Sequence, residues 1–151
     1  MDKVVIINRK ARRDYGVIKI WEAGIELKGS EIKSIRAGCV NLNESFARIV
    51  NGQVLLYNMH ISNYAQASFF NVDELRIRRL LLHKGQINKI TTELFQQGLT
   101  LVPLRVYINQ RGFVKVELAL CRGKKMYDRR ESIKRREVEM QLRKVLKNRR
   151  R

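Results

Sequence analysis

Arg122-Gly123-Lys124-Lys125-Met126-Tyr127-Asp128-Arg129-Arg130-Glu131 is the stretch of this 151-residue chain whose residue types converge on one chemistry. Lys124, Lys125, Arg129 and Arg130 can neutralise phosphates, Tyr127 offers a π-face among those cations, and Gly123 lets backbone approach a ligand closely. Asp128 can hold a neighbouring Arg in register or accept from a ribose 2'-hydroxyl, which favours RNA over DNA. From Arg122 to the end, fourteen Lys and Arg face four Asp and Glu, so thirty residues carry +10. The other 121 residues carry eighteen basic against ten acidic side chains. A total of +18 costs self-repulsion that a polyanionic partner relieves. The bland alternative is a solvated basic helix kept for solubility.

Catalytic material is thin. His60 and His83 are the only histidines and form no HxxxH or HExxH spacing, while Cys39 and Cys121 lie outside any CxxC. Two buried free thiols are the expectation. Glu22, Glu26 and Glu31 invite a carboxylate-metal site, but Ala23-Gly24 predicts a turn that separates the first two. No catalytic residue, metal or cofactor is therefore expected.

These residues need a scaffold, and 44% hydrophobic residues with one proline suffice for one compact domain. The predicted division is a β-rich RNA-binding body over 1–121 and a basic tail over 122–151. No signal peptide and no apolar run of roughly 20 residues is present, which predicts a soluble, cytoplasmic protein.

In chain order, Val4 to Asn8 reads as a short strand, or as an arm that joins a sheet late, followed by a basic segment ending at Tyr15. Gly16–Trp21 and Gly24–Gly29 read as two half-buried strands around a turn at Glu22-Ala23-Gly24. Ser30 is predicted to cap a helix over Glu31–Arg36 that stops at Gly38. Ser45–Val50 and Gln53–Met59 flank Asn51-Gly52, a strong hairpin signal. Ile61–Val72 is loop-like, with Tyr64, Phe69 and Phe70 either plugging a barrel end or stacking on bases. Asp73 is predicted to cap a helix over Glu74–Lys84, and a second helix spans Gln86–Gln97. Thr100–Asn109 and Phe113–Cys121 are the last strands. About six short strands without long parallel crossovers predict a small antiparallel β-barrel with accessory helices, because closure removes exposed edges. Beyond Ser132, Val138, Leu142, Val145 and Leu146 share one helical face. The like charges at the end make that helix marginal alone, so the tail is expected to be disordered when free and helical when bound.

Four blocks resemble one family. They are Trp21-Glu22-Ala23-Gly24-Ile25-Glu26-Leu27-Lys28-Gly29-Ser30 with its continuation to Gly38, Arg76-Ile77-Arg78-Arg79-Leu80-Leu81-Leu82, Gly98-Leu99-Thr100-Leu101-Val102-Pro103-Leu104, and Gly123-Lys124-Lys125-Met126-Tyr127-Asp128-Arg129-Arg130. In order and spacing, from about Asn8 to Lys147, they are similar to the SmpB family of bacterial proteins that bind transfer-messenger RNA (SsrA RNA). The resemblance implies an oligonucleotide-binding (OB)-like barrel and a role in trans-translation. The body would bind the tRNA-like domain of transfer-messenger RNA, and the tail would enter the empty message channel of a stalled ribosome as a helix. It further implies contact with small-subunit RNA, with elongation factor Tu through the charged RNA, and action as a monomer away from membranes.

Carried over by position, the implied RNA-binding residues are Asn8, Glu22, Leu81, Lys115, Gly123, Lys124, Lys125 and Tyr127. Those implied for ribosome and tail function are Asp128, Arg129, Arg130, Ile133, Lys134, Arg135, Val138, Val145, Leu146 and Lys147. The chain departs from the family pattern at Arg129 for Lys, Glu74 for Pro and Val138 for Trp. The alternative is a structural, ribosome-associated RNA-binding protein.

Overall fold

The computed structural model describes residues 2–63, 72–95, 98–123 and 125–149, the last segment with side chains from 136 onward. Tyr64, Phe69 and Phe70 lie outside the described residues. In order, the elements are β1 (Lys3–Ile7), α1 (Arg9–Asp14), β2 (Tyr15–Ile25), α2 (Gly29–Arg36), β3 (Val40–Asn41), β4 (Phe46–Val50) and β5 (Gln53–Tyr57). There follow β6 (His60–Ile61), β7 (Arg78–Leu81), α3 (Lys84–Leu94), β8 (Leu99–Ile108), β9 (Val114–Gly123) and α4 (Lys125–Arg149).

The main sheet is antiparallel throughout. Its pairings run β8, β4, β5, β7, β2, β9 and return from β9 to β8, with β1 added alongside β8. The sheet thus closes on itself, as the short strands predict, and leaves few unpaired edges. β3 and β6 form a separate two-stranded ladder. The Asn51-Gly52 hairpin forms as expected: Val50 opposes Gln53, and both turn residues have positive φ, 51° and 73°. Those are the angles a two-residue turn between right-twisted strands requires.

Alternate residues of the closed sheet fill its interior. Ala23, Val54, Leu56, Leu101, Val106, Val116, Leu118 and Leu120 are fully enclosed there. β8 and β9 also carry the runs Leu101–Leu104 and Leu118–Cys121, buried on both faces. Their outer face is covered by α1, whose Ala11 packs with Val102, Leu104, Ala119 and Cys121. Burial pushes the Cys121 thiol up to about 11. Cys39, by contrast, is exposed, because it follows α2 in a surface turn.

Two of the predicted elements do not form. β2 runs unbroken through Glu22-Ala23-Gly24, paired with Glu117, Val116 and Lys115 of β9. The small residues serve packing: Ala23 is in the core, and a Cβ on Gly24 would lie 3.2 Å from Leu81 Cβ. The helix over Glu74–Lys84 does not form either. Asp73 instead accepts from Leu75 N–H in a turn, and Arg78–Leu81 is a strand in which Arg78 and Leu80 point inward while Arg79 and Leu81 point outward. A period of two overrides the helical spacing because the inward arginine has a buried partner.

That partner is Glu31 on α2. Its Oε2 accepts from Arg78 Nε at 2.6 Å, and its Oε1 accepts from Arg76 Nη2 at 2.6 Å and from the Lys28 N–H at 2.9 Å. The last bond satisfies an unpaired donor at the start of α2, so the N-cap position is Lys28 rather than Ser30, and the Glu31 carboxylate supplies the capping acceptor. Arg78 also donates to the carbonyls of Met59 and Glu74, at 2.6 and 3.2 Å. One buried cluster thereby joins α2, β7 and the chain on either side of β6.

Candidate nucleic-acid interface

The outward side chains of β7, β2, β9 and β8 share one face. Leu81 is opposite Gly24, Gly24 opposite Lys115, and Lys115 opposite Tyr107. In the adjoining row Glu22 is opposite Glu117, which is opposite Arg105. Glu22, Gly24, Leu81, His83 and Lys115 line an open pocket of about 520 Å³. Three of the residues implied as RNA-binding, Glu22, Leu81 and Lys115, are therefore brought together from three strands. Leu81 is 48% exposed, an apolar side chain left uncovered beside a cation, which suits a base or ribose surface.

Glu22 is held. The hydroxyl of Tyr107 donates to its Oε2 across the sheet. Tyr107 is buried, and burial first, then the nearby Glu22 carboxylate, keeps its phenol well above the ordinary value. It therefore stays protonated and a donor. Arg105 lies over the Tyr107 ring, 4.9 Å from its centroid, and is paired with Glu117. Sequence reasoning missed Tyr107, Arg105 and Glu117. Their only signal is alternation along β8 and β9, which places 105 and 107 on the same side as 115 and 117.

The other implied residues lie elsewhere. Asn8 is buried as the N-cap of α1: its Oδ1 accepts from Ala11 N–H, and its Nδ2 donates to the carbonyls of Pro103 (2.9 Å) and Leu42 (3.3 Å). Asn8→Ala is expected to cost roughly 2 kcal/mol through the lost cap and two bare carbonyls. Urea denaturation of the variant would measure that cost, and an unchanged midpoint would refute this role.

Gly123 ends β9 opposite Tyr15, eight residues and roughly 26 Å of strand from Lys115. Lys124 and the side chains of Lys125, Tyr127, Asp128, Arg129, Arg130, Ile133, Lys134 and Arg135 lie outside the described residues. α4 carries Val138, Val145, Leu146 and Lys147, all exposed, on a helix of 25 residues. A further cation-aromatic group sits on the β4–β5 hairpin, where Phe46 and Tyr57 stack at 5.3 Å with Arg48 over Phe46. Among the described residues no group of three His, Cys, Asp or Glu could hold a metal ion, and no helix is long and apolar enough to cross a membrane.

A family model described as SmpB protein matches residues 5–148. The chain belongs to the SmpB family. Among its relatives, the SsrA-binding protein of Enterococcus faecalis is 56% identical over 149 residues, covering 99% of this chain and 96% of that protein. The SsrA-binding protein of Caldicellulosiruptor bescii is 55% identical over 145 residues, covering 96% and 91% respectively. A chain from a tmRNA-SmpB study of the bacterial ribosome superposes with a TM-score of 0.68 at 50% identity, covering 80% of this chain and 85% of that one. The fold is thus shared over that 80% of the chain.

Proposed function

We propose that the chain is an RNA-binding adaptor of trans-translation, without catalytic activity, acting in the cytoplasm as a monomer. The body, residues 1–121, docks the tRNA-like domain of transfer-messenger RNA on the face bearing Glu22, Leu81 and Lys115. The charged RNA brings elongation factor Tu, and the complex goes to ribosomes stalled on messages without a stop codon. The tail, residues 122–151, follows the empty message channel along small-subunit RNA.

The observation that carries this reading is the convergence of Glu22, Gly24, Leu81 and Lys115 on adjacent strands of a strongly basic chain. The names of the relatives support the RNA. The tail's role is supported by its exposure: every described side chain from Arg136 to Arg149 faces solvent. A helix whose described side chains from Arg136 to Arg149 pack on nothing gains little support from the body, and the ribosome would supply the surface that stabilises it.

The test is a gel-shift titration of the full chain against the tRNA-like domain, with an ordinary tRNA as competitor. Glu22→Ala is expected to weaken binding about tenfold or more, as loss of a charge-assisted hydrogen bond does. Unchanged affinity would remove Glu22 from the interface.

A further inference from the structure

A carboxylate at the centre of a face that meets a polyanion is electrostatically misplaced, since phosphates repel it. It stays there usefully only if the ligand brings donors to it. Glu22 is such a carboxylate, and the structure shows which of its acceptor positions are taken. The Tyr107 hydroxyl uses one on Oε2, and no other hydrogen bond to Glu22 occurs among the described residues. A carboxylate offers about four acceptor positions, so Oε1 and part of Oε2 remain open. The neighbouring carboxylate, Glu117, is instead engaged by Arg105.

The surroundings select a flat ligand. Gly24, on the same strand as Glu22, lets Leu81 pack close against it, so that exposed Leu81 forms an apolar wall beside Glu22, and Lys115 supplies a cation on the same rim. We propose that Glu22, oriented by Tyr107, reads the Watson–Crick edge of one unpaired guanine in the docked RNA. Guanine is the base whose edge presents two adjacent donors, N1–H and the N2 amine, matching two carboxylate oxygens in parallel. Adenine and cytosine set their one amine beside a ring-nitrogen acceptor, and uracil sets its N3–H between two carbonyls, so each brings an acceptor against the carboxylate. Tyr107 is a positioning residue: it touches Glu22 rather than the base. The proposal rests on the reading that RNA docks on this face.

Interference mapping with the full chain tests it. The probe is the tRNA-like domain of transfer-messenger RNA transcribed with sparse inosine phosphorothioate in place of guanosine, alongside a guanosine phosphorothioate control. Inosine lacks only the N2 amine. Bound and free RNA are separated and cleaved with iodine. With the wild-type chain, inosine at one unpaired position is expected to be depleted about fivefold or more from the bound fraction. With Glu22→Gln, which replaces an acceptor oxygen by a donor amide, that depletion disappears.

Tyr107→Phe is expected to weaken binding several-fold and blunt the inosine effect while leaving the melting temperature nearly unchanged. A purely structural tyrosine would lower the melting temperature and leave inosine discrimination intact, which overturns the positioning role. If Glu22→Gln weakens binding but no inosine position depends on Glu22, docking stands and the guanine assignment is wrong. If Glu22→Gln leaves affinity unaltered, the docking face itself is wrong.

Discussion

Replacing Glu31 with Ala is expected to leave the chain barely folded at ambient temperature. Arg78 is fully buried, and of its three hydrogen bonds described above only the two to backbone carbonyls would survive. Removing the carboxylate strands that guanidinium, leaves Arg76 only its bond to the Glu26 carbonyl among the described residues, and frees the Lys28 N–H at the start of α2. Breaking a buried ion pair from one side costs about 3 to 5 kcal/mol, against a total stability of about 5 to 15 kcal/mol for a domain. Urea denaturation measures the loss; a cost below about 1 kcal/mol would show that water replaces the carboxylate.

The same cluster sets an acid limit. Burial alone would raise the Glu31 carboxyl, but hydrogen bonds from Arg76, the Lys28 N–H and Arg78 outweigh it and hold it below its ordinary 4.5. A carboxyl whose folded value is depressed contributes fully above its unfolded value and loses that contribution as pH falls through the folded one. Stability should therefore decline from about pH 4.5 downward. Glu74, lowered by the Asn63 N–H and by His60, adds in the same direction. Glu31→Gln is expected to be less stable near neutrality and to show a flatter acid limb in pH-dependent thermal melts. An acid limb as steep as that of the wild type would assign the effect to other carboxyls.

Asp128→Ala combined with Arg129→Ala is expected to abolish tagging of stalled chains while leaving affinity for the tRNA-like domain within about twofold. The substitutions remove one charge of each sign, so the net +18 and the counterion-release contribution to RNA binding are preserved. Both residues lie in α4, beyond the last residue of the closed sheet at Gly123. Paired gel-shift and cell-free tagging assays separate the two functions. Tagging that persists would overturn the division of labour between body and tail, and a collapse of RNA affinity would move Asp128 and Arg129 into the docking face.

Local chemistry alone carried much of the fold. Asn51-Gly52 specified its hairpin, because both positions must adopt positive φ. The apolar runs in Thr100–Asn109 and Phe113–Cys121 specified the two long strands, and Ile87, Ile90 and Leu94 marked α3, which ends at Leu94. The basic run after Arg122 specified the partner class, since charge density needs no tertiary context to attract phosphate. Resemblance named Glu22, Leu81 and Lys115 one by one.

Where the reading failed, the deciding partner was distant in the chain. Ala23-Gly24 has the composition of a turn, and it is the crossing of Leu81 that makes it the tight point of a strand. Arg78 has the spacing of a helix face, and it is Glu31, 47 residues away, that draws it inward along a strand. Tyr107 in an apolar run reads as core, and only the pairing of β8, β9 and β2 sets its hydroxyl against Glu22. Turns, caps and charge runs act within a few residues and are written in order. Strand pairing and the burial of a guanidinium are settled between segments that meet only when the sheet closes, and the face bearing Glu22, Leu81 and Lys115 consists of those meetings.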